Sequence, residues 1–214
     1  MTILAPQVRL DLGFIIGASG PQAEQMFAGQ QRFIRDMLMS YTISNDATLA
    51  GIILNGISSS LPVKIGSAVT MDSFIRLLSG LDNPRQFSGV GGNGNLDDAL
   101  QLARTSLFSV ENGARRAVPK SLVVFMDDNQ QLPDGSIDAL GTEAIALQDA
   151  GVKIIVIGIG ASANPVTLRN IFDAWFFPAD LPHMDDFVHP VVTYSLPGIY
   201  YIIYYNVFYK IIFL

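Results

Sequence analysis

The stretch "LGFIIGASGPQAEQMF" (residues 12–27) changes character halfway along and shows how the chain is built. Its first half is a run of apolar residues, which predicts a strand over 8–16 whose far end is buried on both faces. Gly, Ala and Ser residues then interrupt the run at 17–20. From Gln22 to Thr42 the apolar residues recur with a period of about 3.6 residues, which predicts a helix. The stretch therefore predicts a strand, a tight turn and a helix.

The rest of the chain repeats this alternation of buried strands and helices. Further strands are predicted at 47–54, 61–65, 121–128, 152–160 and 175–177. Further helices are predicted at 71–81, 96–107, 140–147, from Pro165 onwards, and at 185–192. Because continuous apolar strands separated by helices favour parallel pairing with helices on both faces, we predict an α/β fold with a doubly wound, mostly parallel sheet.

Composition excludes several classes of function. The chain has 214 residues, half of them hydrophobic, which suits one domain with a full core. Its net charge of −6 disfavours attraction to nucleic acid phosphates. The chain contains no cysteine, so disulfides, thiolate metal sites and cysteine nucleophiles are excluded. No charged segment followed by a long apolar one opens the chain, so we expect no signal peptide within it.

The last residues, "IYYIIYYNVFYKIIFL" (199–214), do not follow the pattern of the rest. They show neither strand nor helix periodicity, and they are shorter than the roughly 20 residues of a membrane-spanning helix. We therefore divide the chain into an N-terminal extension (1–7), one folded domain (8–193) and an apolar aromatic tail (194–214) that is non-native or disordered. A membrane anchor formed by 199–214 is the alternative.

The expected binding site lies where the parallel strands end. In sheets of this kind, ligands bind at the carboxyl ends of the strands. Here those ends are 17–21, 126–128 and 160–163, and the glycine-rich loop at 88–95 can reach the same edge. We call this edge the rim.

One interpretation of the rim is a nucleotide site. Gly17, Gly20 and Ala23 match the loose glycine spacing of short-chain dehydrogenases, where backbone N–H groups approach a pyrophosphate. However, the second strand ends at 54–55 without a carboxylate for a ribose hydroxyl, and no Tyr-x-x-x-Lys pair occurs in the chain. A nucleotide-binding oxidoreductase therefore stays as the alternative function.

The other interpretation comes from a resemblance. The segments "NLDDALQLARTSLFS" (95–109), "NGARRAVPKSLVVFMDD" (112–128), "LQDAGVKIIVIGIG" (147–160) and "VTLRNIF" (166–172) follow one another as in a von Willebrand factor type A domain. The chain resembles the copies found in type VI collagen and matrilins, from about 8 to about 192. The resemblance implies one antiparallel edge strand, a role in adhesion and protein binding without catalysis, and an extracellular location. An intracellular scaffold of the same family is a further alternative.

Many members of that family hold Mg²⁺ with a D-x-S-x-S loop, a Thr in a second loop and the Asp of a T-D-G turn. In this chain Gly17 stands at the first Asp position and Pro21 at the second Ser position. Met126 replaces the Thr of the T-D-G turn, and Asp128 replaces its Gly. The family's metal site is therefore degenerate here.

Of the usual residues, only Ser19 and Asp127 remain as a vestigial site, with Asn93 and Asp128 as candidate helpers. Because Mg²⁺ prefers a near-octahedral shell of oxygen ligands, this set is too small, and we expect no metal and no other cofactor. The resemblance implies a rim that contacts a protein partner, such as a matrix component. Its candidate residues are Ser19, Gly20, Asn93, Asn95, Asp127 and Asp128.

Two charged clusters have simpler interpretations. Asp97 and Asp98 are expected in the first turn of a helix, where negative charge is favourable. The basic segment "GARRAVPK" (113–120) is expected to be a solvated turn before a strand.

Overall fold

The computed structural model describes residues 8–18, 22–56, 58–83, 96–127, 136–159, 172–176, 184–197, 199–204 and 207–212. The strands are β1 Leu10–Ile16, β2 Thr48–Leu54, β3 Ser60–Val63, β4 Lys120–Asp127, β5 Val152–Ile159, β6 Ala174–Phe176, β7 Ile199–Tyr204 and β8 Val207–Ile212. The helices are α1 Ala23–Leu38, α2 Met71–Ser79, α3 Leu96–Leu102, α4 Ser136–Asp149 and α5 Val188–Ser195.

Six of the strands form one sheet in the order β3-β2-β1-β4-β5-β6. β1 pairs in parallel with β2 and β4, and β5 pairs in parallel with β4 and β6. Only the edge strand β3 is antiparallel within this sheet, where Pro62 is tolerated because an edge position needs fewer ladder hydrogen bonds. The predicted doubly wound, mostly parallel sheet with one antiparallel edge strand is confirmed.

Apolar side chains cover both faces of this sheet, which explains why its central strands are continuous apolar runs. One core packs α1, α2 and α5 against the sheet, and the other packs α3 and α4. Leu107, in the π-helical continuation of α3 (Ala103–Leu107), reaches the sheet over Gly13 and Gly51, which pair in register. A Cβ at Gly13 would lie 2.7 Å from the Leu107 side chain, and one at Gly51 would lie 2.6 Å from it. These glycines therefore make room for a close approach of helix and sheet.

Local signals fixed several element ends. Thr70 caps α2 by accepting a hydrogen bond from the N–H of Ser73 at 3.2 Å. Gly151, with a φ of 79°, follows α4 in the left-handed conformation that glycine favours.

The predicted end of α1 at Thr42 was wrong, because the helix stops at Leu38. Tyr41 instead turns inward, and its hydroxyl donates to the carbonyl of Val192 at 3.1 Å.

The remaining predicted elements agree in position within a few residues. The last helix is preceded by a 3₁₀ turn at Asp185–Phe187, and its end lies three residues beyond the predicted one. Asp97 and Asp98 do lie in the first turn of α3. The helix predicted from Pro165 lies outside the described residues.

The tail forms a hairpin apart from the main sheet. β7 and β8 pair antiparallel, from Ile199 opposite Ile212 to Tyr204 opposite Val207. Within the described ranges, no helix combines the length and the apolar character needed to cross a membrane.

Candidate partner-binding rim

The rim begins where the β1–β2 ladder ends, at the pair Ile16 and Leu54. One more backbone bond follows, from the N–H of Asn55 to the carbonyl of Ile16 at 2.8 Å. Gly17 and Ala18, which follow, lie beyond the paired residues that the structure describes for β1, although both residues are buried. Buried backbone groups need hydrogen bonds, so side chains must supply them here.

Gln30, on the buried face of α1, binds the backbone of Gly17 at both of its polar groups. Its Oε1 accepts from the Gly17 N–H at 2.9 Å, and its Nε2 donates to the Gly17 carbonyl at 3.1 Å. The side chain of Gln30 is fully buried. A side-chain amide thus takes the place that a neighbouring strand would otherwise fill.

Asn83, four residues after the end of α2, does the same for Ala18. Its Oδ1 accepts from the Ala18 N–H at 3.3 Å, and its Nδ2 donates to the Ala18 carbonyl at 2.9 Å. Asn83 is only 5% exposed. Gln30 and Asn83 together form what we call the amide brace, which ties the end of β1 to α1 and to the segment after α2 without using a charge.

The structure places one of the predicted rim residues. Asp127 is the last residue of β4 and pairs with Ile159 of β5 at the carboxyl end of the sheet. It lies three residues beyond Val124, whose partner Ile15 forms the last described pair between β1 and β4. The predicted residues Ser19, Gly20, Asn93, Asn95 and Asp128 lie outside the described residues, as does the side chain of Asp127.

The described side chains around Gly17 and Ala18 supply few oxygen ligands for a hard divalent cation. Such a cation needs several oxygen ligands from side chains, waters or carbonyls. Gly17 and Ala18 carry no side-chain oxygen, and the thioether of Met126 is a poor ligand for Mg²⁺. The side-chain oxygens of Gln30 and Asn83 already accept backbone N–H groups. Within the described part of the chain, no group of three or more His, Asp or Glu residues could hold a metal ion.

The hydrogen bonds of Gly17 also bear on the interpretation of the rim as a nucleotide site. A phosphate at this turn would need free backbone N–H groups, but the N–H of Gly17 is bound by Gln30. The segment after β2 places the buried amide Asn55, not a carboxylate, next to the rim. Among the described residues, the Gly17 N–H is therefore already bound, and the position after β2 holds an amide where the fingerprint has a carboxylate.

Sequence reasoning missed the amide brace, although one signal was present. Gln30 stands three residues after Phe27 and four before Ile34, on the apolar face of α1. A polar residue inside such a stripe must find a hydrogen-bond partner when the face is buried. No comparable signal marked Asn83, because it lies in an irregular segment.

The opposite end of the sheet uses charge instead. The carboxylate of Asp11, which is fully buried, accepts from the Arg115 Nε at 2.8 Å and from the Arg115 backbone N–H at 2.7 Å. Arg115 also donates to the carbonyls of Leu10 and Asn45. The expectation of a solvated turn was therefore wrong for Arg115, which fastens the segment before β4 to β1.

The end of α5 is attached at the same amino-terminal edge. The Nζ of Lys153 donates to the carbonyls of Tyr194 and Leu196 at 2.8 and 3.1 Å, and it lies 4.9 Å from the centre of the Tyr194 ring. Burial lowers the pKa of the Lys153 ammonium to about 8, and the carboxylate of Asp173 offsets only part of this shift. A cavity of about 290 Å³ opens beside these residues, between β4, β5 and the end of α5.

Comparisons with known proteins agree with this architecture. The model of the von Willebrand factor type A domain matches residues 11–189. The von Willebrand factor A domain-containing protein 2 of Xenopus laevis is 31% identical over 160 residues, which are 75% of this chain and 19% of that protein. Matrilin-1 of Gallus gallus is 23% identical over 175 residues, which are 80% of this chain and 33% of that protein.

A solved structure gives the same fold. Proximal thread matrix protein 1 from the mussel byssus superimposes with a TM-score of 0.76 at 16% identity, covering 87% of this chain and 47% of that one. The chain thus spans about a fifth to a half of the length of these proteins. Its sheet order, its antiparallel edge strand and the match over 11–189 show that it belongs to the von Willebrand factor type A domain family.

Proposed function

We propose that this chain is a protein-binding module of an extracellular matrix protein, and that its rim contacts the partner without a divalent cation and without catalysis. Family membership and the relatives among matrix proteins support the class of function. The observation that carries the metal-independent part is the amide brace, because it gives the rim a fixed backbone made of neutral groups.

Binding at such a rim depends on shape and neutral hydrogen bonds. A metal-dependent rim captures a carboxylate of the partner through the open coordination position of its ion. In the proposed metal-independent rim no ion provides such a position, so a partner does not need an exposed Asp or Glu at the contact. The affinity then depends little on ionic strength, since no long-range attraction between opposite charges drives the encounter.

Surface plasmon resonance tests this proposal with immobilised fibrillar collagen and fibronectin as matrix-protein probes. We expect the chain to bind at least one probe equally well in 5 mM EDTA and in 5 mM Mg²⁺ (both about physiological in ionic strength). Asp127→Ala at the rim should weaken this binding, whereas Arg116→Ala, an exposed residue near the other end of the sheet, should not. Binding that disappears in EDTA and returns with Mg²⁺ would contradict the metal-independent rim.

A second titration addresses the oxidoreductase alternative. NADH and NADPH are added to the chain while cofactor fluorescence is followed. We expect no saturation, because the N–H of Gly17 is occupied by Gln30. Saturable binding at micromolar cofactor would overturn the assignment as a module without catalysis.

A further inference from the structure

The backbone that follows β1 is held by side-chain amides. Each of the two residues after Ile16 has both its backbone N–H and its carbonyl bound by a single side-chain amide. The two amides come from different elements, α1 and the segment after α2. Two independent supports therefore act on consecutive residues.

A two-point contact of this kind restricts the backbone more than one hydrogen bond does. When an amide binds both polar groups of one residue, rotation about either bond to the Cα atom breaks at least one contact. The contacts are buried, so water does not replace them readily when they break. The backbone positions of Gly17 and Ala18 therefore depend on Gln30 and Asn83.

We propose that Gln30 and Asn83 are positioning residues of the rim, which hold the backbone of Gly17 and Ala18, at the start of the β1–α1 turn, in its binding geometry in the place of a bound cation. This inference rests on the proposed function, since it names what preorganises the same surface. Preorganisation improves affinity because the partner does not have to order the turn on binding.

The helix α1 provides a matched control. Gln31, the neighbour of Gln30, also joins α1 to the region of α2, through its Nε2 and the carbonyls of Leu78 and Leu81 at 2.8 and 3.2 Å. Its described hydrogen bonds go to Leu78 and Leu81 and not to Gly17 or Ala18. Gln30→Met and Gln31→Met therefore remove similar side-chain amides from the same helix, but only Gln30→Met removes the hydrogen bonds to the backbone of Gly17.

Hydrogen exchange of the ¹⁵N-labelled chain in EDTA gives a readout that does not need a partner. In Gln30→Met we expect the Gly17 amide to exchange at least about tenfold faster, since one buried hydrogen bond is lost. In Asn83→Leu we expect the same for Ala18. The amide of Leu12, inside β1, should keep its protection in both variants, which verifies the fold. Unchanged exchange at Gly17 and Ala18 would overturn the brace.

The second readout is binding to whichever immobilised probe, fibrillar collagen or fibronectin, binds the wild-type chain. We expect Gln30→Met and Asn83→Leu to bind at least about fivefold more weakly, with no recovery in Mg²⁺, and Gln31→Met to bind like the wild type. Faster exchange with unchanged affinity would overturn the positioning role. If the wild type binds neither collagen nor fibronectin, the proposed function fails for these probes. The exchange measurement still decides whether the amide brace holds Gly17 and Ala18.

Discussion

At both ends of the sheet, side chains bind backbone polar groups, but they are neutral amides at one end and charged groups at the other. At the carboxyl end, the backbone after β1 is bound by the neutral amides of Gln30 and Asn83. At the amino end, the chain before β4 is bound by the ion pair of Asp11 and Arg115, and the end of α5 is bound by Lys153. Both ends use buried or partly buried side chains to satisfy backbone polar groups.

This difference has consequences for how each end responds to change. A buried charge that loses its partner is costly, because it has been removed from water without compensation. A buried amide that loses its partner costs less, since it carries no net charge. The stability contributed by the amino end should therefore depend on its charges and on pH. The stability contributed by the carboxyl end should depend mainly on whether the side-chain amides are present.

The largest expected effect comes from breaking the charged end. Arg115→Met leaves the buried Asp11 carboxylate without its cationic partner, with the backbone N–H of residue 115 as its remaining contact from that segment, and we expect the free energy of unfolding to fall by about 3–5 kcal/mol in urea titrations. Gln30→Met at the other end should cost about 1–3 kcal/mol.

The exposed ion pair of Arg32 and Asp185 is the control for this measurement. The two side chains are 43% and 45% exposed, so Arg32→Met should cost less than about 1 kcal/mol. Equal losses in Arg115→Met and Gln30→Met would mean that charge makes no difference between the two ends.

A pH titration should reveal the second effect, at Lys153. The pKa of this ammonium is about 8 in the folded chain and 10.5 in the unfolded one, so the unfolded chain binds more protons between these values. The free energy of unfolding therefore rises as the pH increases from 8 towards 10.5. The neutral amine keeps two N–H groups, enough for the carbonyls of Tyr194 and Leu196.

Tyr41 limits the pH range over which the free energy of unfolding should rise. Burial raises its pKa to about 12, above the ordinary value of 10, so its contribution to stability is lost as the pH increases from 10 to 12. The rise should thus be clear between pH 8 and 10 in chemical unfolding followed by circular dichroism. Lys153→Met should abolish it, and a rise that persists in this variant would assign it to another group.

The smallest effect concerns the turn that carries Arg115. Gly113 has a φ of 92°, and a Cβ there would lie 2.0 Å from the carbonyl oxygen of Ile65. We expect Gly113→Ala to lower the free energy of unfolding by about 2 kcal/mol, through conformational strain and displacement of the Ile65 backbone. Gly151→Ala, with a φ of 79° and no atom within 4 Å, should lose about 1 kcal/mol.

Thermal unfolding of the two variants makes this comparison. If both alanines lower the melting temperature equally, the close contact with Ile65 contributes nothing, and only the backbone conformation matters.

The fold could be predicted from local patterns, whereas the contacts of the site could not. The apolar runs of β1, β4 and β5 predicted buried parallel strands, because few other environments accept such runs. The cap at Thr70 and the glycine at 151 were readable because both act on neighbouring residues. The misplaced end of α1 has the opposite cause, since Tyr41 leaves the helix to contact Val192, 151 residues away.

The site depended on such distant contacts throughout. Gln30 and Gly17 are 13 residues apart, Asn83 and Ala18 are 65 apart, and Arg115 and Asp11 are 104 apart. A basic segment such as 113–120 looks the same in the sequence whether its arginine is solvated or buried against a carboxylate.

By itself, the sequence determined the α/β class, the positions of most strands and helices, the family and the edge of the sheet where a partner is expected. These properties follow from the spacing of apolar residues and from short motifs, which act over a few residues. Only the tertiary structure decided that the end of β1 is held by two neutral amides while the amino end is held by buried charges. The physical reason is that a buried polar group takes whichever partner the packed elements bring within hydrogen-bond distance, and that distance is set by the whole fold.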